Sequence, residues 1–140
     1  MKIYFTGSIR GGRDDKEIYL EMINHLKKHG EVLTEHIGNK KLSSEDEDLS
    51  DRVIHDRDLN WLDAADILVA EVSTPSHGVG FEIRVSVEQK KPILCLFRLQ
   101  EGKRLSAMIA GCPGINVKNY NTLEEAKAII DSFFRSFKKS

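Results

Sequence analysis

Glu82 and Asp58 are the residues whose types and settings could do chemistry. Glu82 closes a Gly- and Ser-rich stretch, Ser73-Thr74-Pro75-Ser76-His77-Gly78-Val79-Gly80-Phe81-Glu82, that follows an apolar run and leads into an amphipathic one. That setting predicts the first turn of a helix, where the macrodipole and free backbone N–H groups favour an ionised carboxylate and lower its pKa. An ionised carboxylate at the mouth of a cleft can act as a nucleophile or stabilise a cationic transition state; the same residue can equally be an acid that steadies its own helix. Asp58 falls at i+4 of the helical stripe Ile54, Trp61, Leu62, Ala65. A carboxylate on that face must be paired, hydrogen-bonded or protonated. A protonated Asp58 with an ionised Glu82 would make a two-carboxylate glycosidic site, one group helping the leaving group and the other attacking; the alternative is that Asp58 ties down a loop or an arginine.

Other residues could surround these two. Gly7-Ser8-Ile9-Arg10-Gly11-Gly12-Arg13 follows the first apolar run. Its glycines allow close backbone approach, Ser8 offers a hydroxyl, and Arg10 or Arg13 can pair with a phosphate. The spacing matches neither GxGxxG nor GxxxxGK[ST], so an anion cradle and a plain strand-to-helix turn both stand. Tyr4 should point to the sheet face opposite Ile3 and Phe5, with a hydroxyl in need of a partner. His36 could flank an aromatic ligand, titrate near neutral pH or lie on the surface. His25, His29, His55 and His77 are read as forming no HxxxH or HExxH pair, so neither a metal nor a cofactor is expected. There is no GxSxG elbow or Ser-His-Asp order to suggest serine hydrolase chemistry.

These side chains need a scaffold. The 140 residues, 40% hydrophobic and 31% charged, fit one domain spanning 1–140. Short β-rich runs over 2–6, 31–34, 66–72, 92–97 and 115–117 alternate with amphipathic stretches over 14–28, 50–65, 79–89, 105–110 and 122–137. Five such units predict an α/β fold, a five-stranded parallel sheet with helices on both faces. The third and fourth strands are unbroken apolar runs and should be central. Leu123, Ala126, Ile129, Ile130, Phe133, Phe134 and Phe137 form one face of the last helix and read as core. Ligands of such sheets bind beyond the carboxyl ends of the strands, where the loops around Gly7 and Ser76 should lie. Residues 38–50 have no apolar period and carry a run of acids, which predicts a solvated loop, with a lid role as the alternative.

Charge and composition exclude several classes. Twenty-one basic against 22 acidic residues give a net charge of −1, so no overall field draws the chain to a nucleic-acid polymer or an anionic membrane. No apolar run is long enough to span a bilayer, and no signal peptide is expected at the N-terminus. Cys95 and Cys112 are too few and too widely spaced for a disulfide scaffold or a four-ligand zinc site, and are expected as free thiols in a reducing compartment.

Taken together, the residues resemble a known family. The matching segments are Tyr4-Phe5-x-Gly7-Ser8-Ile9-Arg10-Gly11-Gly12-Arg13, Leu33-Thr34-Glu35-His36, Ile54-His55-x-x-Asp58-Leu59-x-Trp61-Leu62, Val69-Ala70-Glu71-Val72, Pro75-Ser76-x-Gly78-Val79-Gly80-x-Glu82, Ile93-Leu94-Cys95-Leu96-Phe97-Arg98 and Leu105-Ser106-Ala107-Met108-Ile109. As a set they resemble the 2′-deoxynucleoside 5′-monophosphate N-hydrolases of the nucleoside 2-deoxyribosyltransferase superfamily. The resemblance runs in register over residues 3–110, and beyond Gly111 only the βα pattern matches. It implies a flavodoxin-like or Rossmann-like sheet of the deoxyribosyltransferase type. It also implies hydrolysis of the N-glycosidic bond of a deoxynucleoside monophosphate to a free base and 2-deoxyribose 5-phosphate. Glu82 matches the family's nucleophile, Asp58 the carboxyl group that helps the base depart, and Tyr4 a residue beside the nucleophile and the sugar 2′ position. Ser8, Arg10, Gly11, Ser76 and Gly78 match phosphate-binding positions. Ser106 matches a residue that completes the neighbouring subunit's phosphate site, which implies a homodimer. Gly7 belongs to the same loop, and Ile9, His36 and Met108 match positions that line the base pocket. A cytoplasmic location is expected, and a dimer this small could also enter a nucleus. One departure is Phe81, where relatives often carry Tyr, so the side chain offers no hydroxyl contact there.

Three competing readings remain. A deoxyribosyltransferase would pass the same sugar to a second base, a reading that the phosphate-binding positions disfavour. A ribonucleotide or cytokinin-type phosphoribohydrolase lacks its PGG-GT-type loop here. A receiver-like regulatory module would need acids where Gly7-Ser8 and Ser73-Thr74 stand.

Overall fold

Alternation of side chains along the strands decides which face each helix covers. β1 (Lys2–Gly7) sends Ile3 and Phe5 into one buried cluster and Tyr4 into the other. β3 (Ile67–Glu71) divides in the same way, Ile67 and Val69 against Leu68 and Ala70. β4 (Ile93–Arg98) puts Leu94 and Leu96 on the first side and Ile93, Cys95 and Phe97 on the second. The structure, a computed structural model, describes residues 1–9, 13–34 and 49–138. Among them, β2 (Glu31–Val32) and β5 (Asn116–Tyr120) complete a five-stranded, all-parallel sheet of order β2-β1-β3-β4-β5. β3 is the middle strand. The order reverses between β1 and β3, the switch point at which ligands of such sheets bind.

α1 (Arg13–Leu26) and α5 (Leu123–Lys138) cover one face with Tyr19, Met22, Ile23, Ala126, Ile130 and Phe134. The remaining residues of the predicted α5 stripe, Leu123, Ile129, Phe133 and Phe137, pack around its edge. α2 (Asp51–Ala64) and α3 (His77–Glu88) cover the other face with Leu62, Val79 and Ile83. Each fully buried aliphatic or aromatic side chain contributes about 1.5–3 kcal/mol, so these two layers account for most of what holds the sheet. α4 (Ala107–Ala110) is a single turn, with Ile109 resting on the second layer. Serines start three of the helices. Ser50, Ser76 and Ser106 accept from the backbone N–H groups of Val53, Val79 and Met108.

Two strand ends differ from the periodicity by more than one residue. β2 ends at Val32 rather than Thr34, because the Thr34 side chain takes over the ladder: its hydroxyl accepts from Phe5 N at 2.8 Å and donates to Phe5 O. β5 runs on to Tyr120 through Lys118 and Asn119, a polar segment that reads as loop until its pairing with β4 is seen. An edge strand tolerates polar residues because one side of it meets water. Cys95 and Cys112 are free thiols, and burial pushes the Cys95 thiol up to about 12. Among the described residues, no helix is long and apolar enough to cross a membrane.

Candidate active site

Glu82 lies against β1 at the switch point. Thr6 Oγ1 donates to Glu82 Oε1 at 2.8 Å, and the Tyr4 hydroxyl donates to Oε2. Both donors come from one strand face because Tyr4 and Thr6 are two residues apart. Tyr4 is the partner-seeking tyrosine expected; the role of Thr6 depends on where α3 docks, which the sequence pattern does not contain. The electrostatic expectation for Glu82 needs correcting. Ser76 caps α3, so the helix begins at His77, two residues earlier than the periodicity indicates, and Glu82 sits in the second turn. The helix dipole fades beyond the first turn. Burial therefore governs: it raises the Glu82 pKa, the hydrogen bonds from Tyr4 and Thr6 oppose it, and the Asp58 charge adds to the rise. Burial and the adjacent Glu82 also push the Tyr4 phenol far up, so it stays a proton donor.

Asp58 is partly buried, with its side chain 30% exposed, and Arg57 Nε donates to its Oδ1 at 3.1 Å. Its role as an arginine partner is thus realised through the preceding residue, whose guanidinium also lies 5.0 Å over the Trp61 ring. Asp58 is at the same time near enough to Glu82 and Tyr4 to disfavour negative charge on each. Two carboxyl groups in differing environments, one buried under two hydroxyls and one half open beside an arginine, can divide attack from proton transfer.

A cleft of about 50 Å³ adjoins the start of α3, lined by Ser73, Thr74, Ser76, Arg104, Leu105 and Ser106 among others. Ser76 and Ser106 thus share one cleft within a single chain, and Arg104 brings it a cation that the motif reading passed over. Gly78 is exposed, and a Cβ there would meet only Ser76 Oγ, at 3.9 Å. Gly7 has a packing reason to be glycine, because a Cβ would come within 2.6 Å of the Tyr19 ring. Ser8 is buried, whereas Ile9 is 63% and Met108 84% exposed. Arg10, Gly11 and His36 lie outside the described residues, as does most of the acidic 38–50 segment.

Behind this cleft, on the α1/α5 face, stands another acid, which the strand pattern hid. Glu71, 2% exposed, accepts from Ser73 N at 2.7 Å, from Ser73 Oγ at 2.8 Å and from the Tyr120 hydroxyl. Burial raises its pKa against those hydrogen bonds and the Arg98 charge. Ser73 Oγ also accepts from Arg98 N at 2.8 Å, while Asp15 receives Thr74 Oγ1 at 2.7 Å and the Arg98 guanidinium at 3.0 Å. The network anchors the loop that leads to Ser76.

The histidine reading also needs correcting. His25 and His29 stand four residues apart, the HxxxH spacing, and both rings reach Asp131 on α5.

An α/β protein with carboxylates gathered at the carboxyl-end crevice between β1 and β3 is built to work on a small ligand there. The chain belongs to the nucleoside 2-deoxyribosyltransferase family, whose model matches residues 3–130. It is similar to the 5-hydroxymethyl-dUMP N-hydrolase of Tetraodon nigroviridis, 47% identical over 143 residues that cover 99% of this chain and 100% of that protein. The human 5-hydroxymethyl-dUMP N-hydrolase is 45% identical over 138 residues, 96% of this chain and 79% of that one. Among solved structures, a CMP N-glycosidase of Clostridium botulinum shares the fold with a TM-score of 0.72 at 18% identity, covering 95% of this chain and 99% of its own.

Proposed function

We propose that this chain hydrolyses the N-glycosidic bond of a 2′-deoxynucleoside 5′-monophosphate, releasing the free base and 2-deoxyribose 5-phosphate. The observation that carries this reading is Glu82, held by Tyr4 and Thr6 with the Asp58 carboxyl close enough to perturb it. The names of the N-hydrolase relatives point the same way. In the first step a Glu82 oxygen attacks C1′ and the C1′–N bond breaks, its electron pair leaving with the base, which takes a proton from Asp58. In the second, water attacks C1′, Asp58 accepts the water's proton, and the sugar–Glu82 ester bond breaks to restore the carboxylate. The hydroxyls of Tyr4 and Thr6 hold Glu82 on one rotamer, and Tyr4 leaves little room for a 2′-hydroxyl.

The 5′-phosphate would meet Ser8, Ser76, Arg10, the backbone at Gly11 and Gly78, and Ser106, with Gly7 keeping the first loop close. Arg104 in the same cleft adds a cation. Ile9, His36 and Met108 would line the base side. No metal or cofactor is needed for these steps. We further propose a homodimer, because Ile9 and Met108 leave large apolar surface open on one chain, and a cytoplasmic or nuclear location. Whether Ser106 serves its own cleft or a partner's is decided by mixing. Glu82→Gln and Ser106→Ala proteins, each impaired alone, regain activity together only if Ser106 acts across the dimer.

The primary test is base release, followed by chromatography, from dGMP, 5-hydroxymethyl-dUMP, GMP and deoxyguanosine. Release from the deoxynucleoside monophosphates alone supports the reading. Preference for GMP would move the chain to ribonucleotides and overturn the role given to Tyr4. Reaction of deoxyguanosine only when a second base is added would make it a transferase.

A further inference from the structure

We propose that His25, His29 and Asp131 form a binding site for one divalent transition-metal ion of the zinc type, clipping the end of α1 to α5 on the far side of the sheet from Glu82. The spacing of four residues puts both imidazoles on one side of a helical turn. α1 ends at Leu26, yet the chain keeps turning: Lys28 N donates to His25 O at 3.2 Å and His29 N to Leu26 O at 2.8 Å, so the two rings stay in line. Both Nε2 atoms lie 2.7 Å from the same oxygen, Asp131 Oδ1, and the three atoms lie within 4.8 Å of one another. The His29 ring stacks on Phe134, with centroids 4.5 Å apart and planes 8° apart, which fixes the direction of its nitrogen. The histidine side chains are 11% and 14% exposed and Asp131 is 37% exposed, so the ligands are packed while the carboxylate faces solvent.

The donor set selects the ion. Two imidazoles and a carboxylate suit zinc and its neighbours, whereas magnesium and calcium prefer oxygen throughout. Zinc bonds of about 2.0–2.2 Å in a tetrahedron set ligand atoms about 3.4 Å apart. The separation of Asp131 Oδ1 from each nitrogen, 2.7 Å, would then grow by about 0.7 Å, a movement that one side-chain torsion supplies. Three protein ligands leave the fourth position to water. The site lies apart from the proposed chemistry, because His29 precedes β2, whose Glu31 pairs with Lys2 at the amino end of β1. Its effect is therefore on the packing of α1 against α5 rather than on turnover.

The test uses the untagged chain after treatment with a chelator. Zinc is titrated in competition with a chromophoric chelator, cobalt binding is followed by visible absorption, and melting is recorded with and without zinc. One ion per chain, the visible bands of four-coordinate cobalt and a melting temperature raised by several degrees are expected. His29→Gln and Asp131→Asn should each weaken binding at least tenfold and abolish the thermal shift, while His55→Gln, at an exposed histidine elsewhere, binds as the parent does. Absence of saturable binding to the parent chain would overturn the proposal even if a variant failed to fold. So would equal affinity in the His29 and Asp131 variants and the parent.

Discussion

Glu71 and Glu82 invite comparison. Both stand near the carboxyl end of β3, both accept a tyrosine hydroxyl, and burial raises the pKa of both. They face opposite sides of the sheet, and their surroundings differ in completeness. Three donors converge on the two oxygens of Glu71, one of them a backbone N–H that cannot turn away, and the side chain is 2% exposed. Glu82 has two hydroxyl donors, Asp58 beside it and some exposure. A carboxylate held by three donors from within is a structural brace. One held by two rotatable hydroxyls at an open edge keeps lone pairs for an incoming atom. The same residue type at the same end of the sheet is thus assigned two functions by what surrounds it.

The comparison is broken most easily at Glu82. Glu82→Gln should lower turnover on the order of 10⁴-fold, since the amide is no nucleophile. Its melting temperature at neutral pH should equal or exceed the parent's. The sign follows from the raised pKa: stability owed to Glu82 is fully present below its unfolded pKa and is lost as pH rises through the folded one, so removing the charge relieves a cost at pH 7. Asp58→Asn should cost about 10³-fold in turnover, with less loss on substrates whose base departs without a proton. Steady-state rates on the same deoxynucleotide check both. If Asp58→Asn kept parental turnover, the division of labour between the two acids would fail.

Glu71→Gln is the matching change on the other face, and the expected effect moves from rate to stability. The glutamine carbonyl must face Ser73 N–H, leaving the Ser73 and Tyr120 hydroxyls without their acceptor where water cannot reach. Those losses, about 1–3 kcal/mol in urea unfolding, work against the relief of buried charge that the raised pKa implies, and should outweigh it because the backbone donor fixes the amide's orientation, while kcat falls less than tenfold. A loss of kcat as large as that of Glu82→Gln, with stability intact, would reverse the two roles.

How much of this was legible in the sequence follows from which interactions are local. Alternation and helical stripes are local, so the βα order, the buried β3 and β4 and the apolar face of α5 could be read directly. Glu82, Asp58 and Tyr4 stood out because each breaks a local rule: an acid closing a glycine-rich loop, a charge on an apolar stripe, a hydroxyl in a core strand. Thr6 and Tyr120 do not stand out, because threonine is an ordinary strand former and Tyr120 follows a polar run at the sheet edge. Their roles arise from pairings that periodicity does not contain, Thr6 opposite Ala70 in β1–β3 and Tyr120 opposite Arg98 in β4–β5. Glu71 was absorbed into an apolar strand because its compensation comes from a tyrosine 49 residues away. The start of α3 at His77 was masked by Gly78 and Gly80, which weaken helical patterning, and that shift of two residues changed the sign of the pKa argument for Glu82.

The smallest effect, and the sharpest on mechanism, is expected at Tyr4. Tyr4→Phe removes the hydroxyl from Glu82 Oε2 and, among the described residues, leaves Thr6 as the donor to that carboxylate. The lost hydrogen bond favoured the ionised form, so the Glu82 pKa should climb further, by about one unit for a bond worth about 1.5 kcal/mol. A nucleophile must be ionised, and the acid limb of kcat/KM reports its pKa in the free enzyme. That limb should therefore move to higher pH in Tyr4→Phe, with the plateau rate reduced far less than in Glu82→Gln. Phenylalanine keeps the buried ring, so folding is preserved and the shift can be read from rates alone. A limb that stays in place would mean that Tyr4 only packs against Glu82, and the open-edge carboxylate would then owe its setting to Thr6 and burial.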